Sequence, residues 1–121
     1  MPRTLIAEHD TAIRKVICAQ LQAAGFDVVE SAEGTGALRI LRRQPFDLVV
    51  LDVVLPGVDG VSVCRGVREG GLNADVPILM VSAHGLEPGR PFDVREFRAR
   101  VAALTRHLSK GPVTIEVDKR R

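Results

Sequence analysis

In the segment from Asp47 to Gly60, DLVVLDVVLPGVDG, one carboxylate, Asp52, stands at the end of an apolar run and is followed by the turn residues Leu55-Pro56-Gly57. A hydrophobic strand that stops on an acid and then turns presents that acid at a surface. The all-apolar run Leu48 to Leu51 reads as a parallel strand covered on both faces. Ligand sites of open parallel sheets lie at the carboxyl ends of such strands, so Asp52 is the first candidate for chemistry. The competing reading is an ordinary helix N-cap or turn aspartate. Two other apolar runs end on polar residues, Glu8 and His9 after the first and Ser82 after the fourth. Brought to one rim, carboxylates of this kind bind a hard divalent cation, and a hydroxyl beside them hydrogen-bonds an anion held next to that cation.

The elements that must position these residues alternate between two periodicities. Thr4 to Ala7 reads as a short first strand. Ile13, Val16, Ile17, Leu21 and Ala24 then recur at helical spacing until Gly25 stops the helix. Phe26 to Glu30 makes a second strand, Thr35 to Arg43 a helix closed by Pro45 with Ala37, Leu38 and Leu41 inward, and Phe46 to Leu51 the third strand. Val63, Cys64 and Val67 mark a third helix, and Val76 to Val81 a fourth strand. Phe92 to Leu108 is the last helix, with Phe97, Val101, Leu104 and Leu108 on one face. Strands alternating with helices predict a doubly wound α/β fold, with a parallel sheet, right-handed crossovers and helices on both faces. Glu8, His9, Asp52 and Ser82 then gather where the sheet changes direction.

Composition narrows the function classes. A chain of 121 residues, 45% hydrophobic, is about one domain and buries a core without staples. A formal charge of +2 is too small to argue for a nucleic-acid surface, and Lys119, Arg120 and Arg121 make only a short basic end. Cys18 and Cys64 have neither disulfide nor metal spacing and read as packing thiols in a reducing interior. No apolar segment approaches the roughly 20 residues of a membrane span, and Met1 to Ala7 is too short for a secretory signal. The expectation is a cytoplasmic protein with no membrane partner. A flavin or nucleotide binder is disfavoured, because Glu8-His9-Asp10 stands where a Gly-rich phosphate loop would be.

Taken together, DLVVLDVVLPGVDG, the opening LIAEHDTAIR, VPILMVSA and RPFDVREFRARVAAL resemble the receiver domain of two-component response regulators, in order from Leu5 to Leu104. The resemblance implies a flavodoxin-like sheet of order 2-1-3-4 and no enzyme activity beyond weak self-phosphorylation and dephosphorylation. It implies that Asp52 accepts a phosphoryl group from a histidine kinase or phosphotransfer protein, with Mg²⁺ neutralising the transferring charge. It further implies that Glu8 and Val54, the latter through its backbone carbonyl, serve the metal together with Asp52. Ser82 falls on the switch hydroxyl, and Arg90 on a lysine that precedes a proline and contacts the phosphoryl group, so that the Arg90-Pro91 bond is a candidate cis peptide.

Three departures from the family pattern stand out. His9 occupies the position of the second acid, and neutral imidazole is a poor ligand for Mg²⁺. Weakened affinity, a preference for Mn²⁺, or compensation by Asp10 or Glu8 are the options, and a protonated His9 would withdraw negative charge from the site. A strand-end histidine with no ligand role is the plain alternative. Arg90 keeps a cation but replaces a point charge by a planar fork. Only seven residues, Ala83 to Gly89, separate Ser82 from Arg90, where the family has a helix and a strand. A helical crossover alone needs at least about 10 to 12 residues, so the fourth helix and fifth strand are expected to be shortened or missing.

Residues 1–109 therefore read as a receiver-like domain, and 110–121 as a linker, the start of an effector domain, or an edge strand. Val113, Ile115 and Val117 alternate with Thr114, Glu116 and Asp118, the pattern of an edge strand reachable by a right-handed crossover. The linker or domain start is preferred, since receivers joined to winged-helix DNA-binding domains often continue in this way. DNA binding would then belong to a domain beyond residue 121, and a homodimer is the further partner option. Two functions are weighed, a phosphoacceptor switch feeding a partner interaction or transcription, and a receiver-like interaction module that works without phosphorylation.

Overall fold

The computed structural model describes residues 1–82, 94–105 and 114–118. Along the chain run β1 (Arg3–Ala7), α1 (Thr11–Ala23), β2 (Asp27–Ser31), α2 (Gly34–Leu41), β3 (Leu48–Asp52), α3 (Gly60–Arg68), β4 (Ile78–Ser82), α4 (Val94–Thr105) and β5 (Thr114–Asp118). The strands form one sheet of order β2-β1-β3-β4-β5, parallel throughout. The expected doubly wound α/β sheet, with its 2-1-3-4 core order, is present.

Boundaries shift where local bonding outranks hydrophobicity. Phe26 was expected to open β2, but its N–H donates to Leu21 O at 3.1 Å and Gly25 N–H to Gln22 O at 3.0 Å. With Gly25 at φ +95°, this is a Schellman closure of α1, so the strand begins one residue later. Phe46 likewise stays outside β3, because its N–H bonds Asn73 Oδ1 at 2.9 Å. α2 ends at Leu41, ahead of Pro45, and the chain turns at once as Arg43 and Gln44 both donate to Ile40 O. Val16 was expected inward and is 42% exposed. Cys18 at the next helical step but one takes a buried place, and burial together with the Glu30 carboxylate pushes its thiol pKa up, as suits a packing residue.

Two cores separate the faces of the sheet. One packs Ala37 and Leu41 of α2 with Val63 and Val67 of α3 against Leu5, Val49, Leu51 and Ile78. The other packs Ile13, Ile17 and Leu21 of α1 with Phe97 and Val101 of α4 against Ile6, Leu48, Val50 and Leu79. Buried on both faces, β3 shows no alternation, which is why its sequence is uniformly apolar.

The placement of α4 corrects one expectation. A right-handed crossover from β4 to an outer β5 would put the connecting helix beside α2 and α3, since β2 to β3 and β3 to β4 move across the sheet in the same sense. Instead α4 shares the face of α1, where Arg98 Nε donates to Gln20 Oε1 at 2.5 Å, so the β4-α4-β5 connection is left-handed. The apolar stripe of Phe97 and Val101 buries against α1 and the sheet, on the face opposite α2 and α3. Thr114–Asp118, within the segment for which a linker, a domain start and an edge strand were weighed, pair with Ile78–Ser82 as a fifth strand.

Candidate functional site at the carboxyl ends of β1 and β3

The register of the sheet sets Ala7 opposite Leu51, so Glu8 and Asp52 follow as neighbours at the carboxyl ends of adjacent parallel strands. Both are charged residues sunk in the interior, at 1% and 3% exposure. Asp52 Oδ1 accepts the N–H of Val54 at 3.2 Å, which closes the turn after β3 and fixes the carboxylate. Val54 is 75% exposed, and this hydrogen bond holds its N–H beside the Asp52 carboxylate. Asp52 pairs with Val81 in register, so Ser82 ends β4 one step further along the same rim. Three of the sequence candidates, Glu8, Asp52 and Ser82, are thus brought to one edge.

His9 follows Glu8 but is exposed, in a bend between β1 and α1. Asp10 caps α1, its Oδ1 accepting Ile13 N–H at 3.0 Å, and so is already committed to the helix end. Of the two acids weighed as substitutes for the residue missing at His9, only Glu8 is buried at the rim. Arg90 and the Arg90-Pro91 bond lie outside the described residues.

Residues that sequence reasoning passed over build the surroundings. Arg14 Nη1 donates to the carbonyls of Glu8 at 2.8 Å and His9 at 3.4 Å, while Arg14 Nε pairs with Glu30 at 3.0 Å. It ties the acidic loop to the end of β2. Lys15 adds a second bond to Glu30 at 3.1 Å, and these cations hold the Glu30 carboxyl below its ordinary value although burial opposes the shift. The signal in sequence was the helical position of Arg14 one turn into α1, which places it over the preceding loop.

Two glycines let helices approach the Asp52 loop. A Cβ on Gly60 would overlap Asp52 O, and one on Gly34 would overlap Val58 O. Gly60 N–H donates to Val53 O at 2.8 Å and Gly34 N–H to Pro56 O at 3.2 Å, so α3 and α2 are both seated on the segment that follows Asp52. Gly57 at φ +78° supplies the left-handed step of the Pro56-Gly57 turn. Among the described residues, a groove of about 580 Å³ between the end of α1 and α4 opens beside Phe26 and Phe97 and touches none of these carboxylates.

Two buried carboxylates side by side suit a hard cation, because Mg²⁺ is usually held by one or two carboxylates with water completing its shell. The paired carboxylates of Glu8 and Asp52 fit that chemistry; the exposed imidazole of His9 adds no hard oxygen.

Known proteins with the same pattern give the frame for this rim. The family described as "Response regulator receiver domain" matches residues 4–107. The DNA-binding dual master transcriptional regulator RpaA of Synechocystis sp. is 39% identical over 93% of this chain and 52% of its own length. Transcriptional regulatory protein AfsQ1 of Streptomyces coelicolor is 38% identical over 88% of this chain and 52% of its own. The chain thus spans about half the length of these curated relatives. With RpaA the alignment runs over 127 positions, whereas 93% of 121 residues is about 113, so about 14 positions have no counterpart here. Among solved structures, the receiver domain of sensor histidine kinase PA1611 from Pseudomonas aeruginosa, with a magnesium ion coordinated in its active site cleft, superposes with TM-score 0.77. It is 26% identical and the match covers 86% of this chain and 97% of that one. The chain belongs to the receiver-domain family of two-component response regulators.

Proposed function

We propose that this chain is a phosphoacceptor switch in which Asp52 receives a phosphoryl group from the phosphohistidine of a histidine kinase or phosphotransfer protein. The observation that carries the reading is the pair of buried carboxylates, Glu8 and Asp52, at the carboxyl ends of neighbouring strands. Two neighbouring carboxylates offer hard oxygens of the kind a divalent cation takes. A site of this kind suits phosphoryl transfer, which works through positioning and charge neutralisation by such an ion.

In the reaction an Asp52 carboxylate oxygen attacks phosphorus, the P–N bond to the donor imidazole breaks, and the imidazole leaves with its electron pair. The product is an aspartyl phosphate. Glu8, Asp52 and the Val54 carbonyl would hold Mg²⁺, or Mn²⁺, which supplies neutralisation of the phosphoryl oxygens. Asp52 is held for attack by the Val54 N–H and by the close seat of Gly60 on its backbone. Ser82 at the end of β4 is the residue whose hydroxyl follows the new phosphoryl group, and Arg90 the cation that contacts it. Transcriptional output would pass through a DNA-binding region beyond residue 121, in keeping with relatives about twice as long, and the setting is the cytoplasm.

A second reading, an interaction module that works without phosphorylation, is favoured by the roughly 14 positions absent relative to RpaA and by the seven-residue interval from Ser82 to Arg90. Incubation with a small phosphodonor and Mg²⁺ or Mn²⁺, followed by intact-mass measurement, decides between them. A phosphoryl adduct on the wild type that is absent from Asp52→Asn is expected. No adduct with either metal overturns the switch and leaves the interaction module.

A further inference from the structure

The segment after Asp52 bears on two helices, and one of them carries an unsatisfied surface. Thr35, Leu38 and Arg39 of α2 and its C-cap Arg42, which keeps helical backbone angles, stand at helical spacings of three and four and form one stripe. With Arg43 and Val58 they line a groove of about 470 Å³. Arg39, Arg42 and Arg43 are all exposed, and none of the three guanidinium groups has an ion pair or hydrogen bond among the described residues. Leu38 and Val58 are half-buried and give the groove its apolar lining. Three cations flanking an apolar strip match an amphipathic partner whose polar edge is acidic.

The groove is joined to the phosphoacceptor loop by main-chain contact. Val58 is both a wall of the groove and the residue whose carbonyl lies against Gly34 at the start of α2. Gly34 N–H donates to Pro56 O, and a Cβ on Gly57 would press on Thr35 Oγ1. A rearrangement of residues 53–59 therefore moves the groove wall against the stripe.

We propose that the α2 stripe docks an acidic amphipathic helix of a partner protein, and that the state of the Asp52 loop sets the width of this groove. The coupling rests on the phosphoacceptor reading above; the docking does not. A protein helix fits better than nucleic acid, because a phosphate backbone would pair with the arginines but leave the apolar Leu38 and Val58 uncovered, whereas an amphipathic helix covers both.

The probe is a labelled amphipathic peptide with leucines on one face and glutamates on the other, titrated against the full chain by fluorescence anisotropy. Its lysine counterpart and a short DNA duplex serve as competitors for the same surface. Saturable binding of the glutamate peptide is expected, with affinity falling about tenfold in R39E/R42E and less in R39Q/R42Q, and weakening with salt. No binding, or equal binding by R39E/R42E, overturns the docking surface; preference for the DNA duplex replaces it with a nucleic-acid surface. The peptide is titrated again after treatment with a phosphodonor, with adduct formation read by mass. An adduct without a change in affinity overturns the coupling, whereas absence of any adduct is a failure of the Asp52 reading alone, since the untreated protein has already decided the docking.

Discussion

Gly60 is seated against the carbonyl of Asp52, so closely that a Cβ there would overlap the oxygen, while its own N–H donates to Val53 O at 2.8 Å. The neighbouring atoms are main chain of the site strand, which cannot swing aside as a side chain would. Gly60→Ala should therefore lose about 1–3 kcal/mol of stability to overpacking, despite the roughly 1 kcal/mol by which alanine is the better helix former. Urea denaturation measures the loss, and the rate of phosphoryl adduct formation should fall with it. A variant as stable as the parent would show that α3 can shift without cost.

Asn73 binds three main-chain groups at once from a nearly closed position, 4% exposed. Its Oδ1 accepts Phe46 N–H, and its Nδ2 donates to Leu41 O at 2.7 Å and Gln44 O at 2.8 Å. It fastens the loop before β4 to the chain entering β3. Asn73→Ala leaves these groups without their partner, at a cost of about 2–3 kcal/mol. Asn73→Asp should cost more, because a carboxylate would face two carbonyl oxygens. Thermal denaturation of both variants, with adduct formation retained in the folded fraction, checks the assignment to structure.

His9→Asp restores a second acid beside Glu8 and should raise Mg²⁺ affinity about tenfold, equivalent to about 1.4 kcal/mol. The chain has neither Trp nor Tyr, so calorimetry is the direct measurement. Unchanged affinity would place the cation away from the β1 end.

Glu30 carries a pH effect with a clear sign. Burial raises its pKa, but hydrogen bonds from Lys15 and Arg14 outweigh that and lower it below 4.5. Its stabilising contribution is then fully present above about pH 4.5 and disappears as pH falls through the lowered folded value. Glu30 is 31% and Lys15 61% exposed, so solvent screens the interaction and Glu30→Gln should cost only ~0.5 kcal/mol at neutral pH. Parallel denaturation of the two proteins at pH 7 and pH 3 should show this gap closing; a gap that widens in acid would reverse the assignment.

The parallel pairing of β5 with β4 at the edge of the sheet predicts slow exchange of those alternate amides of Thr114–Asp118 that bond to β4. Exchange at the intrinsic rate there would return the segment to a linker. Truncation before Val113 should also lower the denaturation midpoint, by exposing the main-chain edge of β4.

What the sequence determined by itself was everything written in local pattern: the uniformly apolar β3 ending on Asp52, the Gly25 stop, the Pro56-Gly57 turn and the 2-1-3-4 order carried by the family resemblance. Periodicity and turn chemistry act within a few residues, so they survive without knowledge of the fold. The hand of the β4-α4-β5 connection, the pairing of Thr114–Asp118, and the attachment of Arg14, Gly34, Gly60 and Asn73 to distant main chain were decided only by tertiary structure. The reason is physical: an apolar stripe such as Phe97 and Val101 specifies that it will be buried, but which face buries it depends on what the rest of the chain has left open.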